Sequence, residues 1–235
     1  VQADTNGQRQ SFTVDTRRDL DYAGFTRAIA DFGATLKQSG GVGFFYYAGH
    51  GMQFDSKNYL LPIDAKLTSP SYADAEAVSL RRLMSELATA RNQLNVVVLD
   101  ACRNNPFVER FANEGRSGTG RGLAFARAPA GTFIAYATDP GDTASDSGLY
   151  ATQLAQQMLV PGRRLEDAFM QVRTAVREAT AGQQVPWESS SLEGAPFYFS
   201  AADPGGNRPL PMTPATPAAS APSLAPTVTA VSADT

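Results

Sequence analysis

The sequence predicts an α/β domain built on a mostly parallel sheet with helices on both of its faces. Two observations carry that expectation. Short apolar runs at 42–47, 96–99 and 131–138 alternate with stretches of helical periodicity, the pattern of strands joined through crossover helices. The runs are nearly continuous in Val, Leu, Phe and Tyr, as in strands covered on both faces. At 235 residues and 43% hydrophobic content the chain has room for one sizeable core.

The elements follow in order. Residues 1–11 read as an irregular N-terminal segment. Phe25, Ile29, Phe32 and Leu36 recur at spacings of three and four, which predicts a helix over 21–38 with Asp19 or Asp21 as N-cap. Gly40-Gly41 ends it, and a strand follows over 42–47. Leu80, Leu83, Met84 and Leu87 share one face of a second helix, 80–91, capped by Ser79 and leading into a strand at 95–99. The Gly- and Arg-rich segment 103–130 predicts a mobile loop with little regular structure. A third strand spans 131–138, and Asp139-Pro140-Gly141-Asp142 makes a turn. Helices are expected at 149–159 and at 165–178, the latter with Leu165, Phe169, Val172 and Val176 in register, and a short strand at 196–200 closes the domain.

From Ala201 the composition shifts to Ala, Pro, Ser and Thr without apolar periodicity. Such a segment buries too little surface to offset its ordering entropy, so 201–235 reads as a disordered tail or tether beyond a domain over 12–200. No internal repeat is evident.

A net charge of −3 argues against nucleic acid as a partner and leaves peptides, proteins or small molecules. A single cysteine excludes an internal disulfide and, with only one histidine, argues against a Cys/His zinc site. No run of about 18 apolar residues predicts a membrane span. The start at Val1 has neither the basic end nor the apolar stretch of a signal peptide, and it lacks an initiator Met, which reads as the edge of a processed or shortened chain. A soluble chain is expected, with its compartment, cytoplasmic or exported, left unknown.

The chemistry concentrates in that single imidazole and single thiol. His50 follows the first apolar run and Cys102 the second. Reacting groups in open α/β sheets gather beyond the carboxyl ends of parallel strands, so the two can meet although about 50 residues separate them. Taken singly, each has a structural reading as an inert buried residue. Together they suggest a cysteine hydrolase, because a thiol with a pKa near 8.5 benefits from a nearby base. The backbone N–H groups of Gly51 and Cys102 lie at the same strand ends and suit an oxyanion. Gly49 and Gly51 are expected to allow an unusual backbone path and close approach of substrate.

Tyr47-Ala48-Gly49-His50-Gly51, followed about 50 residues later by Asp100-Ala101-Cys102-Arg103-Asn104-Asn105-Pro106, resembles the caspase and metacaspase family of cysteine peptidases, in a bacterial form. Supporting pieces are Asn58-Tyr59-Leu60-Leu61-Pro62-Ile63-Asp64, Ala135-Tyr136-Ala137-Thr138 and Gln184-Val185-Pro186-Trp187, so the likeness covers about 12–200. It implies a caspase-like fold. It also implies His50 as general base and acid, Cys102 as nucleophile, and Gly51 N–H as oxyanion donor. Asp100 takes the position whose acid in metacaspases lines the S1 pocket and selects Arg or Lys, a charge-assisted pairing that is physically sound. Asp142 is a further candidate for that pocket, beside Asp139 and Asp146. Ala48 and Tyr136 are expected at the substrate, Tyr136 on the strand whose edge pairs with a peptide.

Arg110, Arg116, Arg121 and Arg127 in the loop after the cysteine suggest self-processing, against the plainer reading of a solvated surface. The mechanism requires no cofactor. Calcium activates some metacaspases, but no EF-hand loop is present here. Family members begin with a strand and helix upstream of Phe12, and 1–11 read as neither, so the first strand is expected to be missing. A catalytically inactive module that binds peptides or proteins is the alternative function. An α/β-hydrolase esterase is disfavoured, since its nucleophile elbow and chain order are both wrong here.

Overall fold

A computed structural model describes residues 13–102, 119–120, 123–139 and 148–200. These belong to the first of two compact units, 1–204; the second, 205–235, lies outside the described residues. So do 1–12, and with them the expectation of a missing first strand. Along the chain run α1 (Tyr22–Ser39), β1 (Val42–Phe54), β2 (Lys57–Leu60), a 3₁₀ turn (Pro70–Tyr72) and α2 (Ala73–Glu76). Then come β3 (Val78–Ser79), α3 (Leu80–Ala90), β4 (Leu94–Cys102), β5 (Thr119–Gly120) and β6 (Thr132–Tyr136), and finally α4 (Leu149–Met158), α5 (Leu165–Ala179) and β7 (Trp187–Ser190).

The strands form one sheet in the order β3-β2-β1-β4-β6-β7, with β5 paired to β1. Only the centre is parallel: β1, β4 and β6 run together, while β2, β3, β5 and β7 are antiparallel additions. Helices cover both faces, as expected. Odd-numbered side chains of β4, with Ile134 and Tyr136 of β6, bury Val97, Leu99 and Ala101 against Phe25, Ile29 and Leu36 of α1 and Leu83 and Leu87 of α3. The other face buries Val42, Val96, Val98, Phe133 and Ala135 against Tyr150 and Leu154 of α4 and Phe169, Val172 and Val176 of α5.

Local chemistry sets the helix ends. The Asp21 carboxylate accepts from Gly24 N–H at 2.7 Å and Ser79 Oγ from Arg82 N–H at 3.3 Å, so both N-caps satisfy donors that the first helical turn leaves unpaired. Gly40, with φ of 65°, closes α1 in a conformation that costs other residues strain.

Three expectations need correction. The first strand does not stop at Tyr47 but continues through His50 to Phe54 and folds back as a hairpin onto β2. Its two turn residues, Asp55 and Ser56, have φ of 48° and 59°, the tight two-residue turn usually signalled by Asn-Gly. The expected strand at 196–200 is only an isolated bridge between Arg164 and Tyr198. Its backbone instead serves the start of α5, where Phe197 O accepts from Leu165 N–H at 2.8 Å and Ser200 O from Gly162 N–H at 2.9 Å. The segment 103–130, expected to be irregular, contains β5 and a pinned stretch at 123–128 among its described residues.

Candidate functional site

His50 sits where the sheet changes character. Up to it, β1 pairs residue for residue with parallel β4, ending with Ala48 opposite Asp100 and His50 opposite Cys102. From Gly51 onward β1 pairs with antiparallel β2. Register partners on neighbouring strands stand about 5 Å apart, so the backbones of His50 and Cys102 are immediate neighbours at the carboxyl ends of the two parallel strands. Leu61, just past β2, donates its N–H to the His50 carbonyl at 2.9 Å.

Tyr46, Ala48 and His50 alternate outward on the same face of β1, the face that α4 and α5 cover lower down at Val42. All three are exposed, and Tyr46 keeps 39% of its surface. The Tyr46 hydroxyl donates to Asp100 Oδ2 at 2.6 Å, fixing the carboxylate beside Ala48. Below lies Tyr150 of α4, only 2% exposed, whose hydroxyl has no hydrogen-bond partner among the described residues. Burial, with the neighbouring Asp100, Tyr46 and Glu188, pushes that phenol well above its ordinary range. The Glu188 charge is met by Arg173 in direct contact, and the same guanidinium lies 5.6 Å from the Trp187 ring centroid.

On the opposite face the strand is braced. The Tyr47 ring stacks on Phe25 of α1 at 5.5 Å and 14°, and its hydroxyl reaches the carbonyls of His50, at 2.8 Å, and Leu61, at 3.1 Å. Gly49 and Gly51 correct a sequence expectation: both lie in ordinary strand and neither has a positive φ. Their reason is packing. A Cβ at Gly49 would meet Tyr47 Oη at 2.6 Å, and one at Gly51 would meet Leu123 Cδ2 at 2.9 Å and Ala101 Cβ at 3.1 Å. Leu123 therefore plugs the back of the sheet behind the neighbours of His50 and Cys102.

Leu123 opens a strap over 123–128. The buried Asn58 amide clamps it twice, donating to Ala124 O at 2.7 Å and accepting from Ala124 N–H at 2.6 Å. Farther along, Ala126 N–H bonds Tyr136 Oη at 3.3 Å and Ala128 N–H bonds Ser189 Oγ at 3.1 Å. Other motif pieces have comparable duties. Asp64 Oδ1 accepts from Tyr22 N–H at 2.9 Å at the start of α1, and the buried Gln184 donates to Ala137 O at 2.8 Å.

Not every residue expected at the site is brought there. Tyr136 is 4% exposed and turned into the α1/α3 core, and its phenol is pushed up to about 12 by burial. Its strand has β4 on one side and β7 on the other, so no edge of β6 over 132–136 is left to pair with a peptide. Asp142 and Asp146 lie outside the described residues, as do Arg110, Arg116 and Arg121. Arg127 is exposed on the strap. Sequence reasoning gave no role to Tyr46, Tyr47, Asn58 or Leu123; the only signal was that three of them stand in or beside the quoted motifs.

Among the described residues no group of three His, Cys, Asp or Glu side chains is placed to hold a metal ion, and no helix is long and apolar enough to cross a membrane. A cavity of about 260 Å³ lined by Gln93, Arg164, Glu166 and Glu193 opens near Leu94, at the opposite end of the parallel strands, and shares no residue with the His50 cluster.

The family model described as the caspase domain matches residues 8–198. No curated protein sequence matches the chain. Among solved structures it is similar to caspase-1 from Spodoptera frugiperda, at 14% identity over 82% of this chain and 76% of that one, with a TM-score of 0.48. Because the family match takes in every described element from α1 to β7, the chain belongs to the caspase-domain family of cysteine peptidases.

Proposed function

We propose that the chain is a cysteine-type endopeptidase that uses His50 and Cys102 as a dyad and cleaves after Arg or Lys. The observation that supports it best is the register that sets His50 opposite Cys102, two positions beyond the pair of Ala48 and Asp100. His50 takes the thiol proton of Cys102, and the sulfur attacks the scissile carbonyl carbon. The resulting oxyanion is held by the N–H groups of Gly51 and Cys102. Collapse breaks the C–N bond while His50 returns its proton to the leaving amine. Water, deprotonated by the same imidazole, then hydrolyses the thioester and restores the thiol.

Asp100 receives the basic P1 side chain, with the Tyr46 hydroxyl on Oδ2 keeping the carboxylate turned to that face and the small side chain of Ala48 leaving room. Asp142 adds a second acid to this pocket. The dyad needs no resident cofactor, and the substrates are peptides or proteins. Self-processing falls upstream of the strap, at Arg110, Arg116 or Arg121. The bond after Arg127 is a poor site, because its own nitrogen, Ala128 N–H, is tied to Ser189 and the Ala126 N–H before it to Tyr136.

Matched fluorogenic peptides differing only at P1 test the reading. Turnover of the Arg peptide should exceed that of the Asp peptide by about 100-fold, and Asp100→Ala should remove most of that preference, as losing one partner of a charge pair costs about 2–5 kcal/mol. A preference for Asp overturns the specificity, and no turnover of any peptide leaves the inactive binding module in its place.

A further inference from the structure

We infer that Tyr47 is a positioning residue that orients the oxyanion-binding N–H of Gly51 by holding the opposite end of the same peptide group. For its effect on turnover the inference rests on the peptidase reading above.

The His50 carbonyl and the Gly51 N–H belong to one planar trans peptide, so they point in opposite directions and cannot turn independently. The carbonyl end is held twice, by Leu61 N–H at 2.9 Å and by Tyr47 O–H at 2.8 Å. Leu61 follows β2 directly and so holds the carbonyl from the β2 side, while Tyr47, which also bonds the Leu61 carbonyl, holds it from the α1 face. The Gly51 N–H is therefore turned the other way, toward β4 and Cys102. The last register pair with β4 is His50 opposite Cys102, so the Gly51 N–H stands at the very end of the parallel ladder.

The phenol is itself held in place. Its ring lies flat against Phe25 and over Gly49, where a Cβ would stand 2.6 Å from Oη. Glycine at 49 is thus the condition for the hydroxyl to reach the carbonyls at all. Burial keeps the phenol protonated far above the neutral range, so it remains a donor across working pH. The hydroxyl also needs a reason that packing does not give. Phenylalanine would stack on Phe25 and fill the same volume without carrying a polar group under the sheet.

Tyr47→Phe removes the bond and keeps the ring. With the P1-Arg peptide, kcat should fall about 10-fold while KM stays within about twofold, because the lost alignment acts on the tetrahedral state more than on bound substrate. A peptidyl aldehyde, which forms a tetrahedral adduct with the thiol, should lose affinity by the same factor as kcat, and a merely structural role would not couple the two. The second readout needs no activity: the Gly51 amide resonance in a ¹H–¹⁵N spectrum should move in Tyr47→Phe, and Leu61 amide exchange should accelerate. An inactive wild-type chain counts against the peptidase reading and leaves these amide readouts to decide this one. Unchanged kcat in an active enzyme, or a Gly51 amide that stays where it is, overturns the inference.

Discussion

The two faces of β1 near its middle differ in kind. Tyr46, Ala48 and His50 emerge from one face into solvent, whereas Tyr47, Gly49 and Gly51 on the other are pressed against Phe25, Leu61 and Leu123. The open face presents a phenol, a methyl and an imidazole to solvent, and on the closed face even a methyl group is excluded at two positions. One strand thus separates support from chemistry by its alternation alone, since neighbouring side chains point to opposite sides. The difference teaches why the motif needs both kinds of residue: an exposed imidazole is only as well placed as the backbone that presents it.

The comparison breaks most severely at the plug behind the pair. Leu123→Ala should cost about 2–5 kcal/mol in a denaturant titration, as other buried leucines do when truncated, because it empties the space against Gly51 and Ala101. His50→Ala on the open side should stay within about 0.5 kcal/mol of wild type, as exposed substitutions do. A Leu123→Ala variant as stable as wild type would show that the closed face bears no such load.

A smaller and pH-dependent effect belongs to the hairpin edge, away from both faces. The hydroxyl of Tyr59, 2.6 Å from Asp74 Oδ1, and then Lys57 at 3.2 Å hold the Asp74 carboxyl below its usual value. A carboxyl depressed on folding stabilises the protein above its unfolded pKa of about 3.9 and loses that contribution as pH falls through the folded value. Thermal melts should therefore show Asp74→Asn less stable than wild type at neutral pH, with the gap closing below about pH 4. A gap that persists unchanged at pH 2.5 would refute this origin.

Much of the scaffold was legible in the sequence because its signals were local. The stripe at Phe25, Ile29 and Leu36 and the caps at Asp21 and Ser79 each act within a turn or two, and each appears where expected. The β1–β2 hairpin escaped because Asp55-Ser56 takes a left-handed turn without the glycine that normally announces it. Pro196 to Ser200 misled because its aromatic residues are apolar for a different reason. Phe197 and Phe199 pack edge-on to each other at 5.2 Å, and Phe199 edge-on to Phe44 at 5.8 Å, without joining the sheet.

At the site, His50 and Cys102 could be picked out because strand ends collect reacting groups, and Asp100 through the resemblance to the metacaspases. Tyr47 and Leu123 could not, since their value lies in contacts made across the sheet. Tyr136 shows the limit of motif reading. It sits in a quoted piece of the resemblance, and only the register reveals that both edges of its strand are taken.

The most direct test of the central claim is the rate at which a peptidyl-Arg chloromethyl ketone alkylates the chain, followed by intact-mass and peptide mapping in wild type and in His50→Ala. A single adduct on Cys102 is expected, forming at least about 100-fold more slowly in His50→Ala, with both proteins melting at the same temperature. Equal labelling rates in the two proteins would contradict the pairing of His50 with Cys102.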